Sequence, residues 1–306
     1  MMRPTHAGFQ GSAAATVLVL LLLFTQACDR QKLDARRFVN RGVEALDLDR
    51  ADVAYDFFTQ AIALDKDNAA AHYHLGLVYA YERDQPERAR ARFEEVLRLS
   101  PQDSDALYQL GVLARKAGKA KQARDYLASA GKSAKEPAQI AYELALVDEA
   151  AGDLSLMDKG LRTAIRHDPG FEAAYYELAN LYAKLNEHER AMAVVNEAMQ
   201  LDPKLAPIYF LYASLLKREG RVVEAIGAIE EGLSRDPNYE EGYFDLGYFL
   251  ASLGRYQNGI FHLKQYVKKA QKSNPERVKL AKTLIDKLWV EIEREDAKRD
   301  PNLRIF

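Results

Sequence analysis

One cysteine, one tryptophan and no surplus of basic charge set the first limits on this chain of 306 residues. A lone thiol, Cys28, excludes an intramolecular disulfide, and no set of Cys and His has the spacing of zinc ligands. Lys and Arg total 43 against 45 Asp and Glu, a formal charge of −2, which argues against a nucleic-acid binder with its clustered basic excess. There is no glycine-rich phosphate loop, no His-Glu-x-x-His pair and no Gly-x-Ser-x-Gly nucleophile turn. His72 and His74 lie two residues apart on a helical pattern and so diverge; His72 holds an aromatic-type packing place. His188 falls at a turn. The acidic pairs Asp148-Glu149 and Glu240-Glu241 are neighbours in sequence and do not face each other across a cleft. No enzymatic activity, metal or cofactor is expected. Hydrophobic and charged fractions of 48% and 29% nevertheless belong to a folded chain.

What is present is a period. Pro169, Pro203 and Pro237 are spaced by 34, and Pro101 lies two such steps before Pro169. Leu110, Leu144, Leu178, Tyr212 and Leu246 keep the same step, as do Gly118, Gly152, Asn186, Gly220 and Gly254. The copies run 35–68, 69–103, 104–137, 138–171, 172–205, 206–239 and 240–273, the second with one extra residue near Arg83-Asp84-Gln85. Small residues at the eighth place (Gly42, Gly76, Gly111, Ala145, Ala179, Ala213, Gly247) allow a first helix, A, to approach a second, B. Ala54, Ala89, Ala123, Ala191 and Ala225 do the same from B. Large apolar residues between them recur at i, i+3, i+4 and i+7, an amphipathic helical stripe. The glycines fall where helix A stops and the chain turns left-handed, with Asn186 the substitute in the fifth copy. Asp-Pro pairs end helix B.

A two-helix unit of 34 residues is the tetratricopeptide signature, and the chain resembles that family over most of its length. The fifth copy carries it most clearly in Tyr175, Leu178, Ala179, Tyr182, Ala191, Val195, Ala198 and Pro203, followed by the sixth. The resemblance implies an all-α, right-handed superhelical solenoid of about seven helix-turn-helix units. A capping helix over 274–297 and a tail, 298–306, follow. The fourth copy departs: Asp148 stands where a Tyr or aliphatic residue is usual, and Leu154-Ser155-Leu156-Met157 lacks the small alanine. It is expected to be the softest joint.

Residues 13–24 are almost wholly apolar, too short to span a bilayer but the length of a signal-peptide core. Phe24-Thr25-Gln26-Ala27-Cys28 after it resembles a bacterial lipobox, with Thr25 and Gln26 departing from the usual Leu and Ala or Ser. The resemblance implies a signal peptide over 1–27, lipidation (palmitate among the acyl chains) on Cys28 and a short tether, 28–34. It places the chain in the cell envelope, lipid-anchored to the inner or outer membrane and facing the periplasm. Asp29 resembles an inner-membrane retention signal that is not general across lineages.

In the tetratricopeptide family helix A lines a concave groove that binds peptides or helices. The fifth place of copies two to seven is Tyr73, Tyr108, Tyr142, Tyr176, Phe210 and Phe244, an aromatic ladder suited to packing, to ligand contact or to both. Asn180 and Tyr248, four residues further on, join the expected groove, and Arg115, Lys116, Lys184, Lys217 and Arg218 form a candidate basic rim. The Lys and Asn pairs with which chaperone-binding members clamp a carboxylate are mostly missing. The expected function is a scaffold or adaptor for another envelope protein, as in pilus and secretin assembly. Docking of cell-wall hydrolases or proteases, or an uncleaved signal-anchor protein in a cytoplasmic complex, are the alternatives.

Overall fold

The computed structural model describes residues 30–132, 135–270 and 274–299. Cys28, the apolar run before it and the tail beyond 299 lie outside the described residues. Among those described, every regular element is helical. Helix α1 covers 30–47, and it is followed by α2 (Ala51–Leu64), α3 (Ala69–Leu77), α4 (Pro86–Leu99), α5 (Ser104–Lys116), α6 (Ala120–Ala130) and α7 (Pro137–Ala150). Then come α8 (Leu154–His167), α9 (Glu172–Lys184), α10 (His188–Met199), α11 (Ala206–Arg218), α12 (Val222–Arg235), α13 (Glu240–Ser252), α14 (Tyr256–Lys269) and α15 (Pro275–Arg299). This is an all-α solenoid of helix pairs. It divides into two compact units, one ending at Asp153 and the other beginning at Leu154. The boundary falls inside the fourth repeat. Residues 30–34, expected as tether, are already helical.

The period of 34 has a concrete core. Phe58, Phe93, Leu127, Leu161, Val195, Ile229 and Leu263 occupy one place on successive B helices, and each is at most 1% exposed. Each such side chain contributes about 1.5–3 kcal/mol by leaving water. The small residues of helix A sit directly beneath them. A Cβ added at Gly42 would lie 2.4 Å from the Phe58 ring, one at Gly76 2.6 Å from Phe93 and one at Gly111 2.6 Å from Leu127. In the fourth repeat Met157, 1% exposed, fills the place alanine holds in most other repeats.

The turns from A to B repeat with the same register. Positive φ occurs at Asp49, Asp84, Gly118, Gly152, Asn186, Gly220 and Gly254, so aspartates take the turn in the first two repeats where the sequence offers no glycine. In six of these turns an N–H bonds a carbonyl five residues earlier, as in Lys119 to Ala114 (2.9 Å) and Glu187 to Tyr182 (2.8 Å). In the second repeat the bond from Gln85 reaches Tyr79, six residues back (2.8 Å). The extra residue expected near 83–85 is taken up one turn earlier, as a π-helical stretch at Val78–Glu82 that extends α3. Such a bulge widens one turn and keeps both flanking helices in register.

Polar contacts between consecutive repeats fix the stacking. In the first unit Arg98 pairs with Asp67 (2.6 Å). In the second, Glu172 at the start of α9 accepts hydrogen bonds from the N–H groups of Lys204 (3.0 Å) and Leu205 (2.6 Å), which caps α11 from the preceding repeat. Arg235 reaches back to Asp202 (2.6 Å) in the same manner. Helix α15 closes the second unit: Val278, Ala281 and Ile285 are buried against Ile260, Leu263 and Tyr266. No described helix is long and apolar enough to cross a membrane.

Candidate binding groove

In the first unit the A helices α3, α5 and α7 bring Tyr73, Tyr108 and Tyr142 to the surface, each half-buried. The Tyr73 ring leans on Phe93 (centroids 5.7 Å apart). Between these helices lies a cavity of about 270 Å³ walled by Tyr73, Ser104, Asp105, Tyr108, Gln109 and Gln139, among others. Its floor is organised by Gln109, which is 9% exposed. Gln109 accepts a hydrogen bond from the Tyr81 hydroxyl (2.6 Å) and shares the cavity wall with Tyr73. Tyr81 follows from the π-helical stretch, whose extra residue sets where its ring emerges. Tyr81 had no repeating position to betray it in the sequence, whereas Gln109 keeps the step of 34 with the polar residues Glu143, Glu177 and Asp245.

The walls mix phenols and amides with charged groups, the Asp105 and Glu136 carboxylates and the Lys135 ammonium among them. Burial, with the neighbouring Glu143 carboxylate adding to it, holds the Tyr108 hydroxyl far above the usual phenol range. Burial likewise raises Tyr73 and Tyr81 and, in the second unit, Tyr176. Tyr175, 3% exposed, is pushed up to about 12 by burial first and then by the Glu197 carboxylate. A phenol whose folded value exceeds its unfolded value near 10 stabilises the fold fully below pH ~10, and that contribution is lost as the pH climbs towards the folded value. Helicity is therefore expected to collapse between about pH 10 and 12, with phenolate absorbance appearing together with unfolding. Titration of all 17 tyrosines near pH ~10 with helicity intact would contradict this.

In the second unit the ladder is half-buried at Tyr176 and Phe210 and buried at Phe244. Tyr176 and Asn180 are half-buried on α9. Phe210 stacks on Tyr239 at 4.0 Å over Gly232 and Gly242, where an added Cβ would come within 2.9 and 2.7 Å of its ring. Phe244 is 8% exposed, edge-on to Tyr266 at 5.3 Å and covered by the Arg277 guanidinium at 4.3 Å. It belongs to the core and not to the groove, because α15 and Arg277 cover it. Tyr248 is 43% exposed, with the Lys217 ammonium 4.8 Å from its ring.

The candidate basic rim also divides. Arg115 turns inward to Glu143 (2.6 Å; side chains 23% and 9% exposed), so it is an internal ion pair and not an open charge. Lys116 lies over the Tyr81 ring (5.3 Å), while Lys184 and Arg218 are exposed. Asp148, anomalous in the sequence, is explained in the same way: 8% exposed, it accepts from Arg124 of α6 at 2.6 Å. His72 is a core side chain, 3% exposed, bonded to the Lys66 carbonyl (2.9 Å).

Comparison with known proteins agrees with this architecture. The tetratricopeptide repeat family model matches residues 80–147 and 160–215. Pseudomonas aeruginosa PilF superposes with a TM-score of 0.60 at 17% identity, covering 72% of this chain and 99% of PilF. Yeast Tom70 superposes at 0.62 and 18% identity, covering 96% of this chain and 61% of that one. The human protein O-mannosyl-transferase TMTC3 is 22% identical over 181 residues, 58% of this chain but 20% of the transferase's length. Tetratricopeptide repeats are generally non-catalytic protein-interaction scaffolds. Over the matched residues the chain carries tetratricopeptide repeats, and helix pairs of the same register continue on either side of them.

Proposed function

We propose that the chain is an adaptor of the bacterial cell envelope, tethered by lipid on Cys28, that receives an extended or helical segment of another envelope protein along its A helices. The observation that carries the reading is the cavity between α3, α5 and α7. The Tyr73 and Tyr108 hydroxyls, the Gln139 amide and the Asp105 and Glu136 carboxylates offer donors and acceptors to a partner's backbone, and the rings supply contact area at small entropic cost. The lipobox-like Phe24–Cys28 stretch supports the location. A role in assembling an envelope complex such as a pilus or secretin rests on this lipoprotein layout, and the PilF superposition, at 17% identity, speaks for the fold alone.

A photoreactive residue at Tyr142 or Tyr176 is expected to crosslink a membrane-associated protein in cells. Recovery of soluble cytoplasmic proteins alone would remove the envelope assignment. Mass spectrometry of the mature N-terminus separates the tethers: acylated Cys28 supports the adaptor, whereas an intact Met1 supports an uncleaved anchor serving a cytoplasmic complex.

A further inference from the structure

The overall charge of −2 hides an asymmetry: residues 255–290 carry nine bases (Arg255, Lys264, Lys268, Lys269, Lys272, Arg277, Lys279, Lys282, Lys287) against two acids, Glu276 and Asp286. Arg277 turns inward, pairing with Asp245 at 3.2 Å. Lys264, Lys268, Lys279, Lys282 and Lys287 do not follow it and are all exposed. Gln257, Phe261, Lys264 and Lys268 recur at i, i+4, i+7 and i+11, which places them on one stripe of α14, opposite the buried Leu263 and Tyr266. Phe261 is 57% exposed and Trp289 of α15 44% exposed, and the Lys264 ammonium lies 5.7 Å from the Trp289 ring. The end of a solenoid needs a polar covering to stay in solution. An exposed Phe and Trp set among lysines is not explained by that need.

We infer that this face of α14 and α15 docks on an anionic lipid surface. Two physical terms converge there. Lysines near a membrane bearing anionic lipid are each attracted by about 1 kcal/mol, and aromatic rings at the same level enter the headgroup region where their apolar bodies leave water. An acidic peptide without apolar side chains, or a nucleic-acid duplex whose bases are already stacked, would satisfy the lysines but would leave Phe261 and Trp289 without an apolar partner. The inference does not depend on the groove or on acylation of Cys28.

Trp289 is the chain's single tryptophan, so intrinsic emission reports on this face alone. With the full chain produced without acylation, adding vesicles of mixed phosphatidylglycerol and phosphatidylcholine is expected to shift Trp289 emission to shorter wavelength. Phosphatidylcholine alone leaves it unchanged, and added salt reverses the shift. Insertion through the apolar run at 13–24 would be indifferent to lipid charge and would leave Trp289 in place. Lys268→Gln combined with Lys282→Gln is expected to weaken vesicle affinity about thirtyfold while preserving Lys264 beside the ring and the helical circular dichroism. Phe261→Ala, which keeps every charge, is expected to reduce the shift. Three results would overturn the inference: no shift with anionic vesicles, an equal shift with neutral ones, or a larger shift with polyglutamate or duplex DNA at matched charge.

Discussion

Arg115→Met is expected to lower the stability of the first unit by about 3–5 kcal/mol, the cost of leaving one member of a buried ion pair alone. Its partner Glu143 is 9% exposed, and the 2.6 Å contact joins α5 to α7 across a repeat boundary. With the guanidinium gone, the carboxylate is left without its partner in a poorly solvated place, and α7 is loosened from its neighbours. Replacing both partners, as Arg115→Met with Glu143→Leu, removes the desolvation cost together with the attraction and is expected to restore most of the loss. Repeat proteins open by units and are not strictly two-state. Hydrogen exchange at α7 therefore reports this loss more directly than a global melt. Unchanged exchange in the single variant would mean that water solvates Glu143 well enough to make the pair dispensable.

Gly247→Ala is the second large effect, a destabilisation of about 2–3 kcal/mol from overpacking. At this crossing two glycines face each other. A Cβ on Gly247 would sit 2.8 Å from the Gly259 carbonyl oxygen and 2.8 Å from Leu263, and a Cβ on Gly259 would sit 2.8 Å from the Gly247 carbonyl oxygen. The obstacle is backbone, so relief requires α13 and α14 to separate, which also loosens Leu263, fully buried. Gly227 on α12 is the control: an added Cβ there meets nothing within 4 Å, and Gly227→Ala is expected to stabilise by up to about 1 kcal/mol through helix propensity alone. Thermal melts of the two variants should move in opposite directions. A shift of the same sign would show that helix propensity, and not the closeness of α13 to α14, governs the seventh repeat.

Both predictions come from residues whose importance was unequally visible in the sequence. Gly247 stood in the column of small residues and could be assigned its closeness to helix B from spacing alone. Its counterpart Gly259 lies one step of 34 beyond Ala225 and holds the place where alanine recurs in most other repeats. Asp148 offered no such column, being a single departure in one repeat. Glu143 keeps the step of 34 with Glu177 and Asp245, but nothing in that column names its partner: Arg115 and Arg124 lie 28 and 24 residues from Glu143 and Asp148, distances that match no period.

The groove divides along the same line. Tyr73, Tyr108, Tyr142 and Tyr176 shared the fifth place, and the structure leaves all four partly open. Phe244 shared it too and is buried, because α15 and Arg277 cover it, an arrangement that depends on the cap and not on the repeat.

The sequence by itself determined the solenoid: the length of each helix pair, the glycines and Asn186 at the turns, and the column of small residues where helices touch. These are nearest-neighbour properties, repeated every 34 residues, and repetition makes them legible. Only the tertiary structure decided which aromatic rings remain open, which arginines are spent on buried carboxylates, and that the added residue of the second repeat becomes a π-helical stretch at Val78–Glu82. The physical reason is reach. A hydrophobic stripe is fixed by helix geometry, but the partner of a long charged or aromatic side chain is set by packing between repeats, where one substitution redirects a contact without disturbing the period.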